Sequence, residues 1–237
     1  MFGTRIVIKR GSTGDAEKPF WISFSDLMSA LMVLFLVVMS VALLAVTKRV
    51  SETELAKTRR EKDIAELLRR VRDASTEFDG VHVEGQSINF GDRARFDSGS
   101  STLTNEQSML LRAFVPKVLA IAVDPLGRKW FKQIVAEGFT DQQGSYLFNL
   151  NLSLLRSQRV LCALMAKPML SEPPLTDDEK EEIRDLFLVG GYSFNSAKEK
   201  PEESRRIELR LEFKPLLPEG PEPRKEVPRG KFGSCAI

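Results

Sequence analysis

Residues 137–156 read E-G-F-T-D-Q-Q-G-S-Y-L-F-N-L-N-L-S-L-L-R. On the N-terminal side, Phe131–Glu137 reads as a strand with Ile134, Val135 and Ala136 at its centre. On the C-terminal side, Leu150–Ala166 reads as a helix that ends near Pro168. The stretch is therefore a passage from strand to loop to helix. Taken singly, Asp141 caps that loop and Arg156 is a charge on a helix surface.

The same texture extends in both directions. Val81, Val83, Ile88 and Phe90 suggest strands on either side of a turn at Gly85. Thr104 with Gln107 forms a capping-box pattern for a helix over Met109–Val123, which stops before Asp124-Pro125. Thr176–Leu188 reads as another helix, with Asp177, Asp178 and Glu179 in the first turn, where the helix dipole favours acids. Ile207, Leu209, Leu211 and Phe213 alternate as a last strand. Strands interleaved with helices over ~130 residues predict a two-layer α/β sandwich, assigned to residues 80–214. The Pro-rich tail, 215–237, reads as extended or irregular.

A second feature lies at the other end of the chain. Of 237 residues, 42% are apolar, yet Leu27–Val46 alone is twenty residues without a charge. At ~1.5 Å per residue such a helix crosses a hydrocarbon core of roughly 30 Å. A cleavable signal peptide has a shorter apolar core and a small-residue cleavage site, and Val46-Thr47-Lys48-Arg49 supplies none. A buried core helix of this length would carry a polar stripe, and none is visible. Residues 20–46 are therefore assigned as a transmembrane helix, with Phe20-Trp21 suited to the interface and residues 1–19 as a polar tail. Lys and Arg flank both ends of the span, so charge alone leaves its orientation open.

Residues 47–79 are dense in charge of both signs, with Ile64, Leu67, Leu68, Val71 and Phe78 forming one narrow apolar seam. They read as a helical linker. It is either a solvated helix continuing the span or a short parallel coiled coil with a second copy. Overall the chain reads as α+β: a single N-terminal transmembrane helix, a helical linker and a C-terminal α/β sandwich domain. No nucleophile–base pair and no metal-ligand cluster stands out, and the one histidine, His82, reads as a strand or surface residue. The chain reads as a non-enzyme with no cofactor.

Gly138, Thr140, Asp141, Gly144, Asn149, Leu152, Ser153 and Arg156 fall in the register of the peptidoglycan-binding signature of OmpA-like domains, which the region 85–214 resembles. That resemblance implies a sheet with helices on one face and binding of diaminopimelate in wall peptide stems. It places Asp141 on the ligand ammonium and Arg156 on a ligand carboxylate, with Phe148, Asn149, Leu152 and Arg205 completing the peptidoglycan-binding set. A zwitterionic group needs an anion and a bidentate cation facing each other. Ser204-Arg205-Arg206 stands where the family has Asn-Arg-Arg, a departure that puts the hydrogen bonds of that Asn in doubt. A wall ligand implies a periplasmic C-terminal domain, a cytoplasmic N-terminus and an inner-membrane location. An oxidising periplasm favours a Cys162–Cys235 disulfide over a buried thiol at Cys162 and a free one at Cys235.

Phe20-Trp21-Ile22-Ser23-Phe24-Ser25-Asp26-Leu27-Met28 is similar to the segment of the flagellar stator subunit MotB that carries its ion-binding aspartate. The alternative for Asp26 is a helix cap in the headgroup region. With the resemblance, Asp26 becomes the site of proton translocation, the proton being the transported ion, and Ser23, Ser25 and Ser29 become candidates to hydrogen-bond it. Glu17–Ser23, Met32–Met39, Gly190-Gly191 with Ser193-Phe194-Asn195, and Ser204–Arg206 resemble the stator B subunits of Zorya anti-phage defence systems, whose counterpart cysteines support the bridge. That resemblance implies a proton-driven motor acting in anti-phage defence. The partners would be a ZorA-like (MotA-like) membrane subunit, in a ratio of five A to two B, a second copy as homodimer, and peptidoglycan. A flagellar stator subunit and a passive wall anchor remain open at this point.

Overall fold

The computed structural model describes residues 17–167, 174–216, 230, 232, 233 and 235. The readings of the tail at 1–16 and of the Pro-rich segment at 217–229 lie outside the described residues. The chain divides into two units, Met1–Ala56 and Lys57–Ile237.

In the first unit, helix α1 (Glu17–Ser75) begins and carries the apolar run with every face exposed. Among the described residues it is the one helix long and apolar enough to cross a membrane. Three of its hydroxyls bond within the helix. Ser29 Oγ donates to Ser25 O at 2.8 Å, Ser40 Oγ to Leu36 O at 2.7 Å and Thr47 Oγ1 to Leu43 O at 2.8 Å. Hydroxyls bonded to the carbonyl one turn back leave no unpaired donor to be desolvated in hydrocarbon.

The second unit contains the last turns of α1, which do not form a free linker. Leu67 and Val71 are completely buried and Ile64 nearly so, in one apolar cluster with Ile88, Phe90, Phe114 and Leu209. Phe78 meets Phe114 edge to face at 5.3 Å. The seam read from sequence as a possible coiled-coil interface is thus filled by this chain's own domain from Ile64 onward, in a compact unit that begins at Lys57. Polar contacts hold the helix in register. The Asp63 carboxylate accepts from Lys129 Nζ and from Trp130 Nε1, both at 2.8 Å. Arg60 Nε donates to Lys214 O at 2.9 Å, and Arg70 Nη1 lies 2.6 Å from Asp124 Oδ2.

Two measurements check this assignment. Leu67→Ala removes buried methyl groups from a site that cannot collapse freely, and should destabilise the domain by about 2–4 kcal/mol. In a free linker it would cost almost nothing, so urea unfolding of the full chain in detergent separates the two. The hydrogen bonds from Lys129 and then Trp130 hold the Asp63 carboxyl below its usual range. A depressed carboxylate contributes stability that is present above its unfolded value, near pH 4, and is lost as pH falls through the folded value. Asp63→Asn should therefore lower the urea midpoint at pH 6 and shrink the difference from wild type as pH approaches 3.

Around this helix stand β1 (His82–Glu84), β2 (Ser87–Asn89), α2 (Asn105–Val123), α3 (Pro125–Trp130) and β3 (Phe131–Gly138). They are followed by α4 (Tyr146–Met165), α5 (Asp177–Leu186), β4 (Phe187–Gly191), α6 (Pro201–Ser204) and β5 (Ile207–Phe213). The five strands form one mixed sheet in the order β1-β2-β5-β3-β4. All neighbouring pairs are antiparallel except β3 with β4. Period-2 alternation assigns the faces. Ile207, Leu209 and Leu211 of β5, with Ile134 and Ala136 of β3, enter the core shared with α2 and α4. On the other face Arg210 pairs with Glu137 at 2.8 Å, and Gln133 Nε2 donates to Glu212 at 2.7 Å.

The capping box at Thr104 is present in full, with Gln107 N donating to Thr104 Oγ1 and Thr104 N to Gln107 Oε1. Three elements differ from the sequence reading. Helix α4 starts at Tyr146, because Ser145 caps it by accepting from Phe148 N at 3.3 Å. Helix α3 is a single short piece between two extended residues. Strand β4 takes Phe187 and Leu188 away from the end of the helix expected over Thr176–Leu188. A five-residue apolar run carries no periodicity that separates a strand from the last turn of a helix.

Candidate functional site

The site is built where β3 hands over to α4. Gly138 ends β3 against α4 so closely that a Cβ there would lie 2.0 Å from Ser153 O, so no other residue fits. Beyond it Phe139 N donates to Arg206 O and Thr140 N to Ser193 O, each at 3.0 Å, which pins the loop between the two neighbouring strands' continuations. Gly144, at φ +96°, turns the chain into the α4 cap.

Asp141 sits in this loop with its side chain 9% exposed. One oxygen accepts from Arg205 Nη1 at 2.8 Å and the other from Gln143 N at 3.2 Å. Arg205 keeps 18% of its side chain exposed and donates from Nε to Phe96 O at 2.9 Å. Asn149 is buried and closes the loop from the helix side, its Nδ2 donating to Gln143 O at 2.8 Å and Ser145 O at 3.2 Å. Leu152 is buried beneath the loop, while Phe148 stands 55% exposed at the rim.

Arg156 differs from expectation. Its residue is 0% exposed. Its guanidinium donates to three backbone carbonyls, Phe139 O at 2.7 Å, Ser100 O at 2.9 Å and Asp97 O at 3.1 Å, and lies over the Phe96 ring at 4.8 Å. Burial pushes its pKa down to about 10, with Asp141 opposing that shift and Arg205 adding to it, so it remains a cation at neutral pH. The guanidinium of Arg156 is turned to these backbone carbonyls. It ties the site loop to the segment 96–100, and the cation at the surface is Arg205.

That segment escaped the sequence reading. Phe96 N donates to Arg205 O while Arg205 Nε donates to Phe96 O, both at 2.9 Å, and Asp97 and Ser100 supply carbonyls to Arg156. Its one sequence signal is Gly99, which adopts φ +67° at the turn. Ser204 is buried just before β5. Its Oγ accepts from Lys198 N at 2.8 Å, closing the loop before β5.

The other singled-out residues take no part in the contacts just described. Asp26 is exposed on α1, in the first unit. Ser29, proposed as its partner, instead spends its hydroxyl on Ser25 O. Cys162 and Cys235 are joined in a disulfide with Cα atoms 5.6 Å apart, which attaches the end of the chain to α4, the helix of Arg156. Gly230 N donates to Glu181 of α5 at 3.2 Å. His82 is exposed on β1, its Nε2 3.2 Å from Glu84.

A chain with one membrane-length helix running into a mixed α/β domain, and a sunken Asp–Arg pair at a strand-to-helix turn, defines the class. Within it, 216 residues of this chain are 44% identical to the Zorya protein ZorB of Escherichia coli O139:H28 (strain E24377A / ETEC), covering 90% of this chain and 88% of that protein. The chain belongs to the ZorB family. No protein-family model matches it. Among solved structures, the OmpA-like domain of FopA1 from Francisella tularensis subsp. tularensis SCHU S4 is similar at 15% identity and a TM-score of 0.35, covering 56% of this chain and 80% of that one. The periplasmic domain of Helicobacter pylori MotB is similar at 14% identity and a TM-score of 0.36, covering 56% and 87%.

Proposed function

We propose that this chain is the B subunit of a proton-driven motor in the inner membrane, anchored to peptidoglycan and acting in anti-phage defence. Asp26 carries the proton within a channel completed by a ZorA-like (MotA-like) subunit, five of which surround two copies of this chain. The C-terminal domain stands in the periplasm and grips the wall, with the N-terminus in the cytoplasm. The observation that carries the reading is a carboxylate in the one membrane-length helix of a ZorB-family chain. An ionisable group at such a position costs ~2.5–3.5 kcal/mol on insertion scales and is retained where it works.

At the wall end, Asp141 receives the ammonium of a zwitterionic amino-acid group and Arg205 the carboxylate. The two already share a 2.8 Å ion pair, so the ligand exchanges with a contact that exists rather than desolvating bare charges. Leu152 and Asn149 hold the loop, Arg156 fixes its base, and Phe148 borders the entrance. Asp141→Asn keeps the shape but removes the charge. With a charge-assisted hydrogen bond contributing about 1.5–3 kcal/mol, binding of the full-length protein to isolated sacculi should weaken roughly 10- to 100-fold. Equal binding by wild type and variant would contradict the assignment.

A further inference from the structure

The two edges of the sheet are treated differently. The β1 edge is three residues long and carries exposed His82 and Glu84. Short length and charge are how exposed edges are kept from pairing. The β4 edge has no such protection. Leu188 is 50% exposed and Val189 42%, they are followed by Gly190 and Gly191, and no charged residue occurs from Leu186 to Ala197. Among the described residues no strand pairs with its outer side.

The neighbouring face matches it. No charged residue occurs from Gln142 to Leu155 either, and this run forms the first half of α4. The two runs lie against each other. Ser193 N donates to Ser153 Oγ, and Ser193 Oγ to Tyr146 O, each at 3.1 Å. Among the described residues of the second unit the large exposed apolar side chains, Met109 apart, all belong to these two runs, including Leu147 at 73% and Leu154 at 41%. In a chain that is 29% charged, this is one concentrated patch depleted of charge, the composition found at the centre of interfaces between identical subunits.

We propose that the β4 edge and the adjoining face of α4 form the interface between two copies of this chain, with the two β4 strands antiparallel about a twofold axis. The inference rests on the two-copy reading above and supplies its contact surface. The occupant follows from self-complementarity. Across a twofold axis each residue i of one edge faces a residue j of the other and j faces i, and an edge without charges pairs with its own copy in any such register without opposing like charges. The seam at Ile64, Leu67 and Val71 is already filled within the chain and is not open to a second copy, whereas this patch is exposed.

The test uses the full chain in membranes of cells that carry it with its neighbouring genes. Val189→Cys is treated with a short bis-maleimide while Cys162 and Cys235 remain bridged, and Glu84→Cys on the other edge serves as control. Native mass spectrometry of the detergent-extracted complex counts the copies independently. The expected result is two copies per complex and at least tenfold more cross-linked dimer from Val189→Cys than from Glu84→Cys. Adding the exposed substitution Leu188→Lys should return the yield to the control level. Two copies without an excess at position 189 would overturn the interface and leave the two-copy reading standing. A single copy would overturn both, and cross-linking of position 189 to a different protein would assign the edge to that protein instead.

Discussion

Arg156→Ala unfolds the domain more readily than it relieves it of a ligand contact. The side chain is fully buried, and its three hydrogen bonds reach carbonyls on two separate segments, Asp97 and Ser100 on one and Phe139 on the other. Alanine leaves those carbonyls without donors and a long cavity beneath the Phe96 ring. Each orphaned buried acceptor costs on the order of 1–3 kcal/mol, and partial relaxation brings the expected loss to about 3–5 kcal/mol. That is a large share of the ~5–15 kcal/mol typical of a whole domain. Arg156→Lys should recover only part of it, because one ammonium cannot reproduce a planar fork spread over three acceptors. Urea unfolding of the full-length protein in detergent measures this directly. A variant with wild-type stability that no longer bound sacculi would instead return Arg156 to direct contact with the ligand.

The difference between that outcome and the sequence reading shows where pattern ends. The motif made the strand-to-helix turn legible, because Gly138, Gly144, Asn149 and Ser153 each answer a steric or hydrogen-bonding need of that turn. The alternation of Ile207, Leu209 and Leu211 likewise identified a half-buried strand from its period alone. Spacing cannot say which way a long cation turns. Arg156 points inward because a segment some 56 residues earlier folds back over it, and no local signal announces that contact. The apolar seam of α1 shows the same limit. Its period states that one face is covered, but not whether a second copy or this chain's own Phe90 and Phe114 cover it. β4 was invisible for a third reason: its five residues complete a sheet edge by tertiary pairing with β3, against no periodicity of their own.

The second large effect concerns Asp26. Asparagine has the shape of the protonated acid and cannot release a proton. A carboxylate that must load and unload on each cycle is therefore frozen in one state by this substitution. Asn also enters hydrocarbon at lower cost than ionised Asp, so insertion is unaffected or improved. Proton flux and every activity driven by it should be lost, while binding of the domain to the wall, for which we propose Asp141 and Arg205, should be unchanged. The central claim is that this carboxylate powers the complex. Its most direct test is plaque formation on cells carrying the protein with its neighbouring genes, wild type against Asp26→Asn, at equal membrane levels. The expected result is protection by wild type and none by the variant. Equal protection by both would show that Asp26 only caps a helix in the headgroup region and that the chain is a passive anchor.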